Sequence, residues 1–348
     1  MVIHAFQNGD TLERQDRALI ARFHGERRVL STSVLNGGCR DNLQAAFNHD
    51  CKHNGVKNTP LKAPTYEAHL ALIAEEFGLD AHFATGLSTA ADMDNVAVIS
   101  ETYDDLTVTA AVTGGIDVNG GRVGDPADWH EGAGGCIPIS GTINILLFID
   151  ANLPEGTLAR ALVTCTEAKT AALQELLAPS RYSTGIATGS GTDGTVIVSN
   201  AASSLVLTFA GKHSKLGELI GRSVMSAVKK ALFLQTGLCP AQQFVVFART
   251  ERFGLTRARF LEKYPAINVL RLDTLSKSGE LVVMTSLFVH LLDQLQWGLI
   301  SPADAQAGAK KLLEGAWDPG TAGDGGVTDT QQRMIAAFEA ALVTMSEK

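Results

Sequence analysis

The stretch GTINILLFID, residues 141–150, is typical of a buried strand that opens on a glycine and a threonine. A helix is predicted after it, from Pro154 to about Leu177, because proline is favoured in the first turn of a helix. The segment closes on the glycine-rich run ATGSGTDG, residues 187–194, and a second strand at 195–200. Small hydroxyl residues, glycines and carboxamides gather at these strand ends, where functional groups are commonly placed. We therefore expect an α/β fold whose functional residues lie at the ends of these strands.

The chain divides into an α/β part and a helical part. The α/β part is predicted to contain strands at 28–35, 96–100 and 106–112 and helices at 43–51, 64–78 and 215–236. The helical part is predicted to contain mainly helix at 251–315, a Pro/Gly/Asp-rich link at 318–329 and a final helix at 330–345. We expect one domain over residues 1–236 and a helical C-terminal extension over residues 237–348 that packs on it.

The composition predicts a globular cytoplasmic protein. The chain has 348 residues, of which 45% are hydrophobic, and a formal charge of −8. That charge argues against nucleic-acid binding, because phosphate contacts need a basic surface. No run reaches the roughly 18 apolar residues of a membrane span, and the N-terminus lacks the basic and apolar regions of a signal peptide. The five cysteines form no C-x-x-C pair, which is typical of a reducing compartment.

Two short motifs resemble cofactor sites but lack the context that such sites need. The run GSGTDG at 189–194 fits G-x-G-x-x-G, yet it precedes a strand instead of the helix that a dinucleotide site requires. It is either a hairpin turn or a backbone-lined wall of a pocket. His49 and His53 lie four residues apart on a predicted helix, which would suit a metal, but neither a third ligand nor H-E-x-x-H accompanies them. We expect no metal site.

Lys169 and Thr142 are the side chains that most invite a functional interpretation. Lys169 falls in the apolar stripe of its predicted helix, so it either extends to solvent or faces a carboxylate or hydroxyl of a site. Thr142 is either a β-branched residue suited to a strand or a hydroxyl nucleophile, which needs a base and an oxyanion hole. The glycine before it and Asn144 after it favour the second interpretation. Thr113 and Gly114, at the end of another strand, would supply the oxyanion donors.

Several blocks, in the same order along the chain, resemble the adenosylcobinamide amidohydrolase family. They are SVLNGG at 33–38 followed by Asn48 and His49, GTINI at 141–145, TEAKTAAL at 166–173, ATGSGTD at 187–193, and the segment from Gly211 to Glu218. The similarity spans roughly residues 28–235. It implies hydrolysis of the amide that joins the aminopropanol arm to the corrin ring of adenosylcobinamide, which gives adenosylcobyric acid in corrinoid (B12) salvage. The alternatives are another amidase or acyl-transfer activity on the same fold, or a corrinoid-binding protein without catalysis.

The stretch GAGGCIPISGT, residues 132–142, is also similar to the self-cleavage site of ornithine acetyltransferases and of the L-aminopeptidase/D-esterase family. This likeness implies a layered α/β/β/α sandwich, here with a C-terminal helical extension. It also implies a chain break before Thr142, which would become an N-terminal nucleophile. Thr113 and Gly114 match the Thr-Gly oxyanion pair of those families.

These resemblances also imply the base, the binding residues and the partner. The base would be the α-amine of Thr142 after cleavage, or His49 or Lys169 in an uncut chain. The corrin and its amide side chains would be held by Asn36, His49, Asn144, Thr188 and Asp193. The implied partner is a small corrinoid whose cobalt belongs to the substrate, so no cofactor or catalytic metal is implied. We expect no nucleic-acid or membrane partner, and a homo-oligomer is left open.

Overall fold

The strand predicted at the centre of the sequence lies inside the larger sheet. In the computed structural model, which describes residues 1–52, 61–127, 141–313 and 326–347, this strand is β11 (Thr142–Ile149). It pairs in parallel with β13 (Gly194–Asn200) and antiparallel with β9 (Leu106–Gly115). Every residue of β11 is buried, as expected for a strand that is covered on both faces of its sheet.

The other strands complete two sheets and a short ladder within the described residues. They are β1 (Val2–Ala5), β2 (Thr11–Gln15), β3 (Ala18–Arg22), β4 (Arg27–Ser31), β5 (Gly38–Arg40), β6 (Ala45–Asp50), β7 (Ala84–Thr89), β8 (Ala97–Tyr103), β10 (Gly120–Gly121) and β12 (Gly189–Ser190). The first sheet has the order β1-β2-β3-β6-β7, and the second has the order β5-β4-β13-β11-β9-β8. The ladder pairs β10 with β12, next to the start of β11.

Helices follow the strands and occupy most of the C-terminal part. They are α1 (Tyr66–Glu76), α2 (Glu155–Glu175), α3 (Lys215–Thr236), α4 (Val246–Thr250), α5 (Arg257–Lys263), α6 (Val269–Leu275), α7 (Gly279–Gln296), α8 (Pro302–Leu312) and α9 (Val327–Glu347). The expected α/β class and the helical C-terminal part are both confirmed. Among the described helices, no single one has the length and apolar character of a membrane span, and α6 with α7 reach that threshold only together, across a 71° bend.

The alternation of side chains along each strand sorts the apolar residues into separate clusters. On β11, Ile143 and Ile145 face the cluster formed with α2 and α3, whereas Leu146 and Phe148 face the first sheet. On β6, Phe47 packs with α1 on the far side of the first sheet. The two sheets therefore face each other across a shared apolar cluster, with α1 packed against the first sheet and α2 and α3 against the second.

One sequence prediction is wrong: residues 43–51, expected to be helical, contain strand β6 instead. All six residues of this strand are buried, and it pairs with β3 on one side and β7 on the other. A short apolar run does not distinguish a buried strand from a buried helix by its periodicity. Pairing with β3 and β7 makes this segment a strand. Its side chains therefore point in directions different from those that the predicted helix would give them.

The chain forms two compact units. Met1–Tyr182 with Ile186–Cys239 make the first, and Ser183–Gly185 with Pro240–Lys348 make the second. The second unit has its own apolar core, in which the rings of Phe288 on α7 and Phe338 on α9 lie 4.7 Å apart. All of the predicted site residues belong to the first unit.

Candidate active site

Thr142 is the first residue of β11, and its side chain faces the first sheet. It is 2% exposed. Its hydroxyl donates a hydrogen bond to the carbonyl of Thr192 at 2.7 Å and lies 3.4 Å from Oδ1 of Asn144. Strand alternation places Thr142 and Asn144 on the same face. The structure therefore buries the candidate nucleophile in polar surroundings.

A hydrogen-bonded network of side chains joins the two sheets beside Thr142. The amide nitrogen of Asn144 donates to Oδ1 of Asn48 at 2.7 Å and to the carbonyl of Ser88 at 3.0 Å. Asn48 donates in turn to the hydroxyl of Thr113 at 2.8 Å, and the backbone nitrogen of Gly194 donates to Oδ1 of Asn144 at 3.0 Å. Buried amides are tolerated when they are paired in this way. The network fixes the position of each member.

The structure brings Thr113 and Gly114 next to the start of β11. In the antiparallel register of β9 and β11, Thr113 pairs with Asn144 and Gly114 pairs with Ile143. The side chain of Thr113 is fully buried and points toward the first sheet, as shown by its bond to Asn48. The two residues predicted to supply oxyanion donors thus lie on the strand beside Thr142.

Asp193 ties the start of β11 to helix α2. Its Oδ1 accepts hydrogen bonds from the backbone nitrogen of Ile143 at 2.8 Å and from the hydroxyl of Ser190 at 2.6 Å. Its Oδ2 accepts from the backbone nitrogen of Ser190 at 3.0 Å and forms an ion pair with Lys169. The two side chains of the pair are 11% and 12% exposed. Of the two interpretations of Lys169, the structure agrees with the one in which it faces a carboxylate.

Asn36 and Thr188 are bonded to the backbone of neighbouring loops. Asn36 donates to the carbonyls of Ala81 and Ala84, each at 2.7 Å, and has a positive φ of 49°. The hydroxyl of Thr188 accepts a hydrogen bond from the backbone nitrogen of Val123 at 2.9 Å. Both side chains hold loops in place here, and their predicted contact with a substrate stays a prediction.

His49 is not brought together with Thr142. Its neighbour Asn48 faces the second sheet, so strand alternation turns His49 to the opposite face. There its ring lies 5.9 Å from the ring of Phe77, at the end of α1. Burial, together with the positive charges of Arg17, His69 and Lys62, lowers the pKa of His49 to about 3.

Acidification is expected to destabilise the fold through His49. The unfolded chain takes up a proton near pH 6.5, whereas folded His49 resists protonation until about pH 3. Its contribution to stability is therefore complete above pH 6.5 and is lost as the pH falls toward 3, by at most about 1.4 kcal/mol per pH unit. Denaturant unfolding of wild type and His49→Gln across this range measures the effect. We expect a steeper loss in wild type, and parallel curves would contradict the assignment.

The described residues contain no group of three or more His, Cys, Asp or Glu side chains placed to hold a metal ion. His53, the second member of the histidine pair considered in the sequence, lies outside the described residues, as do residues 132–140 of the stretch before Thr142. Cys39, Cys51, Cys165 and Cys239 are free thiols.

The sequence analysis gives no role in the site to Asn48, Ser190 or Thr192, although all three lie in the blocks that resemble the family. The helix predicted at 43–51 gives no reason to expect a contact between Asn48 and Asn144, which exists because this segment is strand β6. Ser190 and Thr192 lie in the glycine-rich run, where one interpretation was a pocket wall. The hydroxyl residues in that run are the feature of the sequence that could have indicated a role in the site.

The fold and the site define a mixed α/β protein with a buried hydroxyl and paired carboxamides at the start of a central strand. Such groups suit acyl-transfer chemistry, which needs a hydroxyl nucleophile and hydrogen-bond donors. The model of one protein family, adenosylcobinamide amidohydrolase, matches residues 3–240. The chain belongs to this family, which confirms the resemblance seen in the sequence blocks. The family name describes a hydrolase that acts on an amide.

Two curated proteins are similar to this chain. An uncharacterized protein of Methanocaldococcus jannaschii is 34% identical over 242 residues, which cover 65% of this chain and 89% of the relative. An adenosylcobinamide amidohydrolase of Methanosarcina mazei is 28% identical over 229 residues, which cover 64% and 96%. A solved structure from Pyrococcus horikoshii OT3 covers 68% of this chain and 82% of its own, at 13% identity and a TM-score of 0.34.

Proposed function

We propose that this protein hydrolyses the amide between the corrin ring and the aminopropanol arm of adenosylcobinamide, giving adenosylcobyric acid and aminopropanol. The observation that carries the proposal is the family match over residues 3–240, which includes the whole of the candidate site. The relative from Methanosarcina mazei bears the same activity in its name. The corrinoid brings its own cobalt, so the proposal requires no cofactor and no catalytic metal.

In the proposed mechanism the hydroxyl of Thr142 attacks the amide carbonyl of the substrate. Thr113 and the backbone nitrogen of Gly114 stabilise the oxyanion, and loss of one such donor typically costs roughly 10²–10³ in rate. The amine leaves as aminopropanol, and water then releases the corrinoid acid from the acyl-enzyme. The position of Thr113 and Gly114 beside the start of β11 supports these roles.

The base in this mechanism is the α-amine of Thr142, exposed by cleavage of the chain after Gly141. An α-amine has a pKa of about 7.7–8.0, which suits proton transfer near neutral pH. Two observations support this choice over a side chain. The hydroxyl of Thr142 donates to the carbonyl oxygen of Thr192 and lies near Oδ1 of Asn144, and neither of these oxygens is a base that could take up its proton. Lys169 is engaged with Asp193, and His49 faces the other side of its sheet.

We propose that Asn36, Asn144, Thr188 and Asp193 border the corrin pocket, in a layered α/β/β/α sandwich like that of the ornithine acetyltransferases. The facing sheets with helices outside them support the layered arrangement. A corrin has a broad apolar face and a fringe of amides, so a wide cleft with a few polar groups would suit it.

The test is incubation of the purified protein with adenosylcobinamide, followed by mass spectrometry of the products. We expect adenosylcobyric acid and aminopropanol to form in equal amounts. Corrinoid binding, measured in parallel from the absorbance of the corrin, separates the alternatives. Binding without turnover would replace the proposal with a corrinoid-binding protein. Turnover of other amides but not of this one would indicate a different amidase on the same fold.

A further inference from the structure

The carbonyl oxygen of Gly141, which directly precedes Thr142, is held by two side chains. Asn119 donates to it through its amide nitrogen, and Thr192 donates through its hydroxyl at 3.0 Å. The hydroxyl of Ser190 lies farther away, at 3.4 Å, and is engaged at 2.6 Å by Asp193. Two side-chain donors from separate segments therefore converge on the one carbonyl that precedes the buried threonine.

The surroundings of Asn119 are not those of a residue that only holds a loop in place. It is fully buried, in the turn between β9 and β10. Within the described residues its Oδ1 is buried without a hydrogen-bond partner, an arrangement that is unfavourable for a polar atom. That oxygen is aimed at Gly141, since a Cβ built there would lie only 2.5 Å from it. Buried polar atoms left unpaired in this way call for a functional reason.

Gly141 has a conformation that serves this arrangement. Its φ is +100°, in the region that favours glycine. Any larger residue would also collide with Asn119 and with the carbonyl of Gly115, 3.0 Å from the position of a Cβ. The glycine therefore lets the chain present its carbonyl to the two donors and then enter strand β11.

Thr192 contacts both groups that would react, which are the hydroxyl of Thr142 and the carbonyl of Gly141. Its backbone carbonyl accepts the hydroxyl hydrogen of Thr142 at 2.7 Å, and its own hydroxyl donates to the carbonyl of Gly141. On the far side of Thr142, the backbone nitrogen of Ile143 is held by Asp193 at 2.8 Å. The peptide bond between Gly141 and Thr142 is thus held on both sides by the loop that leads into β13.

We propose that Asn119 and Thr192 are the oxyanion donors for cleavage of the Gly141–Thr142 peptide bond; this rests on the proposed role of Thr142 as nucleophile. The hydroxyl oxygen of Thr142 bonds to the carbonyl carbon of Gly141, and the charge that develops on the carbonyl oxygen is stabilised by the two donors. The C–N bond breaks, and the hydroxyl proton passes to the nitrogen, which becomes the α-amine of Thr142. Water then hydrolyses the ester, giving the carboxylate of Gly141 and restoring the hydroxyl.

The test is a time course of intact mass after cell-free synthesis of the full chain, with Asn119→Ala and Thr192→Val as variants. Thr192→Val removes the hydroxyl and keeps the backbone carbonyl, and residue 192 is exposed, so folding should tolerate the change. Thr32→Val is the matched control, because that hydroxyl also donates to a backbone carbonyl, that of Thr195. We expect wild type and the control to split before Thr142, and each variant to split roughly 10²–10³ times more slowly.

Two outcomes would overturn the inference: a wild-type chain that stays whole, or variants that split as fast as wild type. The adenosylcobinamide assay on the same preparations separates this result from the proposed function. A whole chain that hydrolyses adenosylcobinamide would refute the cleavage and leave the amidohydrolase standing. A chain that splits with the expected dependence on Asn119 and Thr192, yet shows no turnover, would uphold the inference and refute the substrate.

Discussion

Thr142→Ala is expected to lower kcat for adenosylcobinamide hydrolysis by roughly 10⁴- to 10⁶-fold, the scale seen when a nucleophile that acts with its partners is removed. The change deletes the attacking oxygen and leaves the network of Asn144, Asn48 and Thr113 in place. Single-turnover hydrolysis with excess enzyme, followed by mass spectrometry, measures the effect. Corrinoid affinity should change little, because the proposed binding groups are retained.

Thr142→Ser is the matched control for this prediction. It keeps the hydroxyl that bonds to Thr192 and removes only a methyl group, so we expect it to retain a measurable fraction of the wild-type rate. Thr142→Ala with wild-type turnover would contradict the nucleophile. Equal loss in both variants, with unchanged circular dichroism, would point instead to the packing of the methyl group.

Lys169→Met is expected to lower the free energy of unfolding by roughly 3–5 kcal/mol, the usual cost of leaving one partner of a buried ion pair without its counter-charge. Asp193 would remain buried and charged while still accepting hydrogen bonds from Ile143 and Ser190. Because Asp193 holds the residue after Thr142, the start of β11 should also loosen. Urea unfolding monitored by circular dichroism measures the change.

The double variant Lys169→Met with Asp193→Asn tests whether the charge left on Asp193 causes the loss of stability. Removing both charges should recover much of the lost stability, since a neutral amide can still accept from Ile143. Lys62→Met is a control on an exposed pair, because Lys62 and Glu76 are 43% and 50% exposed; such pairs contribute little. A double variant as unstable as Lys169→Met alone would show that the charge left on Asp193 is not the cause.

The sequence by itself determined the elements whose pattern is local. The helical spacing of apolar side chains predicts α3 at 215–236, and the helix occupies those residues. In the structure Ser214 caps its first turn. Strand β11 was predicted from one continuous apolar run, and the predicted boundary lies one residue from the observed start. The family could also be identified from the sequence alone, because its motifs are short blocks of contiguous residues.

Only the tertiary structure decided which polar groups meet. Asn48 and Asn144 lie 96 residues apart, and their contact exists because β6 is a strand in one sheet that faces β11 in the other. The converging bonds on Gly141 come from Asn119 and Thr192, on two separate turns. Periodicity records the face on which a side chain lies, but not which distant strand or loop will cover that face. The partners in the site were therefore set by strand pairing over long range.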